Sequence, residues 1–379
     1  MTKPIYLDYN ATTPHDPEVI AAMRPFLETE FGNPSSTHPY GIIAKKAVET
    51  ARGQVAALLD CRSREVIFTS GGTESINHAI SGTARALCGK GNHIITSQVE
   101  HPAVLETCRR LERDGFKTTC LPVDGYGIVY ADDVEAAIRP GTVLITIMHA
   151  NNEVGSIQPI REIAAIARAR GIAFHVDAAQ SVGKIPVKVN DLGVDLLSVA
   201  GHKLYAPKGI GALFIRQGID LEKLVHGAGQ EMGKRAGTEN VMEIVGLGKA
   251  CEIIHRSFAA GAEHMREMRE LLFAELKKEL PPIRVNGHPD LRLPNTLSVS
   301  FKNLEANRIL EEIGLQVAVS AGAACHSGKV EVSHVLQAMN VPAEWARGTI
   351  RFSTGRMTTP AEIRRAVGII VNGIRRLTK

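Results

Sequence analysis

The run VDLLSVAGHKLYAPKG, residues 194–209, lays down an apolar segment, then places Lys203 directly behind it and ahead of a Pro/Gly turn. An amine at the mouth of a buried strand is partly desolvated, which suits it to attack a carbonyl or to take a proton. Other chemistry-bearing residues fall at equivalent places. Asp177 closes IAFHVD, with Gln180 three residues on, and His101 follows HIITSQVE. Asn151 and Asn152 follow TVLITIMHA, and Ser70-Gly71-Gly72-Thr73 follows REVIFT. A Gly-rich turn opening a helix offers backbone N–H groups and a hydroxyl at a positive helix end, which makes a phosphate cradle. Each feature alone is ordinary: a turn, a helix cap, a solvated charge. Together they have one well-known joint use, holding pyridoxal 5'-phosphate. A lysine joins its aldehyde, and an aspartate keeps its ring nitrogen protonated so that the ring withdraws electrons.

These residues need a scaffold that brings strand ends to one edge. REVIFT (64–69), HIITS (93–97), KTTCLPV (117–123), TVLITIMHA (142–150), IAFHVD (172–177), VDLLSVA (194–200) and IGALFI (210–215) read as short buried strands. Helical patterns such as AVLETCRRLERDG and PIREIAAIARARG lie between them. That alternation predicts an α/β fold with a mainly parallel seven-stranded sheet, and in such sheets ligands bind beyond the carboxyl ends of the strands. Near residue 260 the pattern changes to a long helix, EHMREMRELLFAELKKEL, then a strand NTLSVSF, a helix around 304–314, a strand TIRFSTG and a final helix. Thr359, Pro360 and Glu362 form a capping box at the start of that last helix. The expected division is a large domain over 16–258 and a smaller α+β domain built from 1–15 and 259–379.

Composition excludes several classes. The 379 residues are 44% hydrophobic, enough for a sizeable core. The 44 basic and 40 acidic residues are interspersed, so no nucleic-acid footprint is expected. The opening MTKPIYLDYN lacks a signal-peptide layout and the apolar runs are too short to cross a bilayer, so the expected setting is cytoplasmic, without membrane contact. The six cysteines, at 61, 88, 108, 120, 251 and 325, contain no C-x-x-C pair. Neither a metal site nor a disulfide framework is expected, and most of these thiols read as small core residues.

Longer motifs carry a resemblance. YLDYNATTP (6–14), FGNPSS (31–36), TSGGTESIN (69–77), EHPAV (100–104), NNEVGSIQPI (151–160), HVDAAQSVGK (175–184), GHKLYAPKGIG (201–211), RAGTENV (235–241), GAACHSGKVEVSHVL (322–336) and IRFSTGRMTT (350–359) resemble the class V aminotransferases. Within that fold they look like the NifS/IscS-type cysteine desulfurases and the related selenocysteine lyases. The resemblance spans essentially the whole chain. It implies pyridoxal-phosphate fold type I, a homodimer, conversion of L-cysteine to L-alanine, and sulfur carried as a persulfide to an acceptor protein, as in iron–sulfur cluster assembly.

Position by position, it implies Lys203 as the residue that joins the cofactor and Asp177 as the partner of its ring nitrogen. His101 would stack on the ring, with a catalytic role, and Gln180 would donate to the ring hydroxyl. Gly72, Thr73 and His202 would serve the phosphate, and Thr238 would reach the neighbouring subunit's site. Asn152, also beside the cofactor, and Arg356 would hold the substrate carboxylate, to which a guanidinium fork is suited. Cys325, in a small-residue loop expected to be mobile, would take the sulfur as thiolate.

Two features depart from the desulfurase pattern. Ala200 stands where many relatives carry a phosphate-binding Ser, which predicts weaker cofactor retention. The sequence closes on RRLTK, so the extension by which some relatives dock a scaffold is not expected here. GHK and GAACHS lean toward selenocysteine lyases, whereas the spacing from Cys325 to SHVL matches the desulfurases. A transaminase would not need Cys325, and an idle scaffold would have lost Lys203 or Asp177.

Overall fold

Residues 3–280, 282–326 and 329–378 are described by the computed structural model, with side chains described for all of these except 323–331. The seven apolar runs form strands β1 (Val66–Thr69), β2 (His93–Ser97), β3 (Lys117–Leu121), β4 (Thr142–Met148), β5 (Ala173–Asp177), β6 (Leu196–Ala200) and β7 (Gly211–Ile215). They make one sheet of order β1-β7-β6-β5-β4-β2-β3. β7 runs antiparallel to both neighbours and every other pair is parallel. β1, β2, β4, β5 and β6 therefore end at one edge. Apart from the edge strand β3 and the first residue of β4, the strands are buried throughout, which is why they read as unbroken apolar runs. Helices α1 (Gly72–Asn77), α2 (Pro102–Arg113) and α3 (Ile160–Ala169) belong to the connections that follow β1, β2 and β4. α1 continues through a π turn at His78–Gly82 into Thr83–Ala86.

Helix α4 (Val241–Glu279) starts well before the segment read as helical from the sequence. Its apolar stripe begins at Ile244 and Leu247, and Asn240 caps it by accepting from the Glu243 N–H. At Ser257 the backbone leaves helical geometry (φ −124°, ψ 20°), and the Ser257 hydroxyl donates to the Ile253 carbonyl at 2.8 Å. Such back-bonding competes with the helix ladder and bends it. Before the kink, Cys251 and Ile254 pack into the core around the large sheet; beyond it, Met268, Leu272 and Leu276 enter a second core. The chain thus passes between cores inside one helix, without a linker.

The second core covers a four-stranded antiparallel sheet. Its strands are β8 (Ile283–Asn286), β9 (Thr296–Phe301), β10 (Ser320–Ala321) and β13 (Thr349–Ser353), in the order β10-β13-β9-β8. The N-terminal strand Ile5–Tyr6 pairs with Val317–Ala318 on this side of the molecule. Between β10 and helix α5 (His334–Ala338), strands β11 (Ala323–His326) and β12 (Lys329–Val332) form a hairpin with Cys325 opposite Val330. The segment expected as an open loop therefore carries a backbone ladder, and the Cys325 thiol lies outside the described side chains.

Helix α6 (Pro360–Leu377) begins as its sequence predicts. Thr359 Oγ1 accepts from the Glu362 N–H at 3.2 Å, and the Glu362 carboxylate accepts from the Thr359 N–H at 2.9 Å. Thr359→Ala is expected to lower stability by about 1 kcal/mol, read as a lower urea midpoint at unchanged slope; an unchanged midpoint would show the box to be dispensable.

Candidate active site

A cavity of about 240 Å³ opens beyond the strand ends, and Lys203, Asp177, His101, Gln180, Asn152, His202, Gly72, Thr73 and Ala200 all line it. Each position follows from the fold. β5 ends on Asp177, β6 ends on Ala200 three residues before Lys203, and α1 opens at Gly72 just beyond β1. The first-turn N–H groups of α1 have no carbonyl partner within the helix. A Cβ added at Gly72 would meet the Ala200 Cβ at 3.0 Å, so glycine keeps this part of the cavity open.

Burial and charge tune the central pair. Burial, reinforced by Arg351, lowers the Lys203 amine to about 8, against the opposing pull of Asp8 and Asp177. The Lys203 Nζ donates to the carbonyls of Asn10 (2.5 Å) and Ala11 (2.6 Å). Burial raises the Asp177 carboxyl, while the Ala179 N–H on Oδ1 (2.9 Å), His101 and Lys203 oppose the rise. His101 caps α2: its Nδ1 accepts from the Ala103 N–H at 3.1 Å, which leaves the proton of the neutral ring on Nε2. Desolvation holds this imidazole below its usual range, with Lys203 and His334 acting in the same sense. Burial brings His202 down to about 4, so it is neutral at physiological pH, and its Nδ1 lies 3.3 Å from Thr12 Oγ1.

Beneath His101 lies Glu100, which the sequence reading passed over. Its Oε1 accepts from Ser97 Oγ (2.6 Å) and the Met148 N–H (3.0 Å), and burial pushes its carboxyl up to about 8. It is therefore mostly protonated at neutral pH and adds little negative charge below the site.

The arginine assignment is corrected by the structure. Arg356 does not line the cavity: its guanidinium lies 4.0 Å from the Tyr205 ring centroid and bonds Asp16 at 3.2 Å. β13 ends at Ser353, and the turn through Thr354 and Gly355 carries Arg356 to the Tyr205 side. Arg351, within β13, lines the cavity instead. Its Nη1 donates to the Asn152 carbonyl (3.0 Å), and its Nη2 donates to Asp8 (2.8 Å) and Ser320 (2.9 Å). Strand alternation carried this signal. In TIRFS, Ile350 and Phe352 point into the second core, so Arg351 belongs to the other face.

Thr238 lies in a separate cavity with Phe68, Ser70 and Arg235, away from Lys203. The hairpin that bears Cys325 is closed at its base by the Ser333 N–H donating to Gly322 (3.1 Å). It is tied to the site's own strand ends by Ser333 Oγ on Glu153 (2.5 Å) and by His334 Nε2 against the Glu100 carbonyl (3.0 Å). Among the described residues no cysteine lines the cavity, and burial pushes Cys61, Cys108 and Cys251 up to about 12. No metal-binding cluster occurs among the described residues, and no helix is long and apolar enough to cross a membrane.

Comparison with known proteins places this geometry among relatives. Residues 5–366 match the aminotransferase class-V family. The chain is 50% identical over 378 residues to "Cysteine desulfurase IscS" of Dictyoglomus turgidum, covering 100% of this chain and 96% of that one. Among solved structures, a "NIFS-LIKE PROTEIN" superimposes with a TM-score of 0.93 at 38% identity, over 98% of this chain and 100% of that one. "SspA in complex with cysteine" gives 0.83 at 38% identity, over 94% and 100%.

In protein dialysed against hydroxylamine, which strips carbonyl compounds from amines, acylation of Lys203 is expected to rise with pH through a midpoint near 8. Exposed lysines rise only toward about 10.4. Peptide mapping after a reagent pulse measures both, and a Lys203 midpoint near the exposed value would contradict the desolvated environment.

Proposed function

The chain belongs to the aminotransferase class-V family, and on that premise we propose that it is a pyridoxal 5'-phosphate-dependent cysteine desulfurase. It converts L-cysteine to L-alanine and passes the sulfur through Cys325 to an acceptor protein. The observation that carries this reading is the convergence of a lysine of lowered pKa, a buried aspartate and an arginine on one cavity, in a chain whose full-length relatives carry that name.

The cavity fits the cofactor on its own terms. At the helix opening a Cβ on Gly72 would meet the Ala200 Cβ at 3.0 Å, so glycine leaves the first-turn N–H groups uncovered for an anion. Asp177 is a buried carboxylate facing the cavity, and desolvation of that kind is offset by a cationic partner such as a protonated ring nitrogen. Gly72, Thr73 and His202 would hold the phosphate, Asp177 the ring nitrogen and Gln180 the ring oxygen. His101 would cover the ring face, and Lys203 would join the aldehyde. When bound, pyridoxal 5'-phosphate supplies an electron sink for charge developing at the substrate Cα.

The remaining work falls to the chain's own side chains. Arg351 and Asn152 hold the substrate carboxylate, which fixes the Cα proton toward the Lys203 amine. Lys203, with a pKa lowered to about 8, is present in part as free amine near neutrality and takes that proton. The Cys325 thiolate forms a bond to the substrate sulfur as the Cβ–S bond breaks. The bonding electrons stay with the carbon skeleton, which takes up one proton at Cβ, regains one at Cα and leaves as alanine; Cys325 keeps the sulfur as a persulfide.

A homodimer completes this reading. Large apolar side chains stand exposed along the helix Pro17–Glu28 and into the helix Pro39–Leu59, among them Ile20, Leu27, Phe31, Tyr40, Ile42 and Ile43. An apolar run of this kind favours burial against a second copy. In that assembly Thr238, remote from its own chain's Lys203, would serve the partner's cofactor.

The purified protein is expected to release alanine from L-cysteine and to gain one sulfur on the peptide bearing Cys325, seen by mass spectrometry. Cys325→Ser is expected to bind L-cysteine but to release almost no sulfide; sulfide release at the wild-type rate would sink the persulfide route. Preferential turnover of L-selenocysteine by the wild type would instead make it a selenocysteine lyase. In parallel, Arg351→Gln is expected to raise KM for L-cysteine about 10- to 100-fold, the loss of one or two charged hydrogen bonds. Arg356→Gln should leave KM within about twofold, since charge pairs outside the site contribute little to binding. The reverse pattern would restore the carboxylate role to Arg356.

A further inference from the structure

Below the cavity floor sits a second lysine that the mechanism above does not use. Lys184 is 5% exposed, and the charges that reach it, Lys203 and Arg351, share its sign. Its Nζ donates to Gln180 Oε1 at 2.7 Å and to Asn10 Oδ1 at 3.3 Å. The turn that brings it there runs through Gly183, whose φ of +78° lies in the left-handed region and where an added Cβ would meet Ile254 at 2.9 Å and Leu204 at 3.3 Å.

We propose that Lys184 is a positioning residue: its amine locks the Gln180 carboxamide so that an N–H, rather than the carbonyl oxygen, is presented to the cavity. The inference rests on the cofactor reading above, in which Gln180 donates to the ring oxygen.

A primary amide has two orientations related by a half-turn, and in a cavity wall they differ in sign: one offers a donor, the other an acceptor. Two contacts fix the choice for Gln180. Its Nε2 donates to the Asn10 carbonyl at 2.9 Å, and its Oε1 accepts from Lys184. A half-turn would set oxygen against the Asn10 carbonyl and the amide N–H₂ against the lysine N–H, losing both bonds. With Oε1 held by Lys184 and one Nε2 hydrogen on Asn10, the second Nε2 hydrogen is left for a group in the cavity that Gln180 lines. Burial and the like charges of Lys203 and Arg351 hold the Lys184 amine well below the usual lysine range. A Met here keeps the length and loses the donor; a Gln keeps a donor without the charge.

The test is a double-mutant cycle on the full-length chain, stripped and titrated with pyridoxal 5'-phosphate. Dissociation constants and the pH midpoint of the visible band are read together. Lys184→Met is expected to weaken binding about tenfold, the scale of one hydrogen bond. It should also shift the band's midpoint in the same direction as Gln180→Leu. In the Gln180→Leu background, Lys184→Met should add less than about twofold. Lys184→Gln should recover most of the affinity, and Lys184→Leu, which also lacks the donor, stands in for the Met variant in the cycle if that variant does not fold. Independent, additive losses, or unchanged affinity and midpoint, would overturn the proposal while leaving the cofactor reading intact. Wild-type protein that binds no pyridoxal 5'-phosphate would overturn both.

Discussion

Asn10 is the residue on which the two halves of this molecule agree. It is 1% exposed, and every polar group it owns is used. Its N–H donates to Ser353 Oγ, and its side-chain amide donates to Thr296 Oγ1 and the Asn152 carbonyl. Its Oδ1 accepts from Asn295 and Lys184, and its backbone carbonyl accepts from Lys203 and Gln180. Ser353, Thr296 and Asn295 belong to the second sheet and its approach; Asn152, Gln180, Lys184 and Lys203 belong to the large one. A buried polar group left without a partner costs roughly 1–3 kcal/mol, so the relative placement of the two cores is constrained through one side chain. The same contacts set the floor of the cavity. A shift of β13 that kept the Ser353 contact would move Arg351 together with Asn10, whose carbonyl holds Lys203.

The electrostatics follow from that convergence. Lys203, Lys184 and Arg351 approach one another in a desolvated space where Asp8 and Asp177 are the nearest carboxylates. Glu100, which sits just below, is largely removed from the charge balance by its own burial. The site is consequently short of negative charge, a state suited to a ligand that carries phosphate and carboxylate groups. Asp8 is committed to Arg351 at 2.8 Å, so Asp177 remains the carboxylate in the cavity wall. The lowered amines of Lys203 and Lys184 thus have one origin, basic groups gathered where water is scarce.

Much of this was legible in the sequence because it is local. The strands of the large sheet announce themselves as apolar runs, and Asp177, Lys203, His101, Asn152 and Gly72 stand a few residues beyond their ends, where chain direction alone brings them together. The capping box at Thr359 is equally local. What escaped reading depends on contacts between residues far apart in the chain. Asn10 and Lys184 look like ordinary polar residues until folding sets them 3.3 Å apart. Arg351 and Arg356 both flank Ser353, and the choice between them turns on which face of β13 meets the second core. The early start of α4 was hidden because its first half packs into one core and its second half into another, so neither apolar stripe spans the whole helix.

The hairpin that carries Cys325 obeys a different constraint from the rest of the site. Its base is fixed by Ser333 and His334 to Glu153 and to the carbonyl of Glu100, the residues next to Asn152 and His101. The feet of the hairpin therefore share a frame with the cavity wall. On the proposed chemistry a sulfur carrier must meet the substrate at one moment and an acceptor at another. With the feet anchored, the Cys325 backbone pairs across to Val330 a few residues from that frame. The other described cysteines cannot substitute. Cys61, Cys108 and Cys251 are held as thiols by burial, and neither Cys88 nor Cys120 lines the cavity. On that proposal reactivity toward substrate sulfur falls to Cys325, because the other described cysteines are buried or lie away from the cavity.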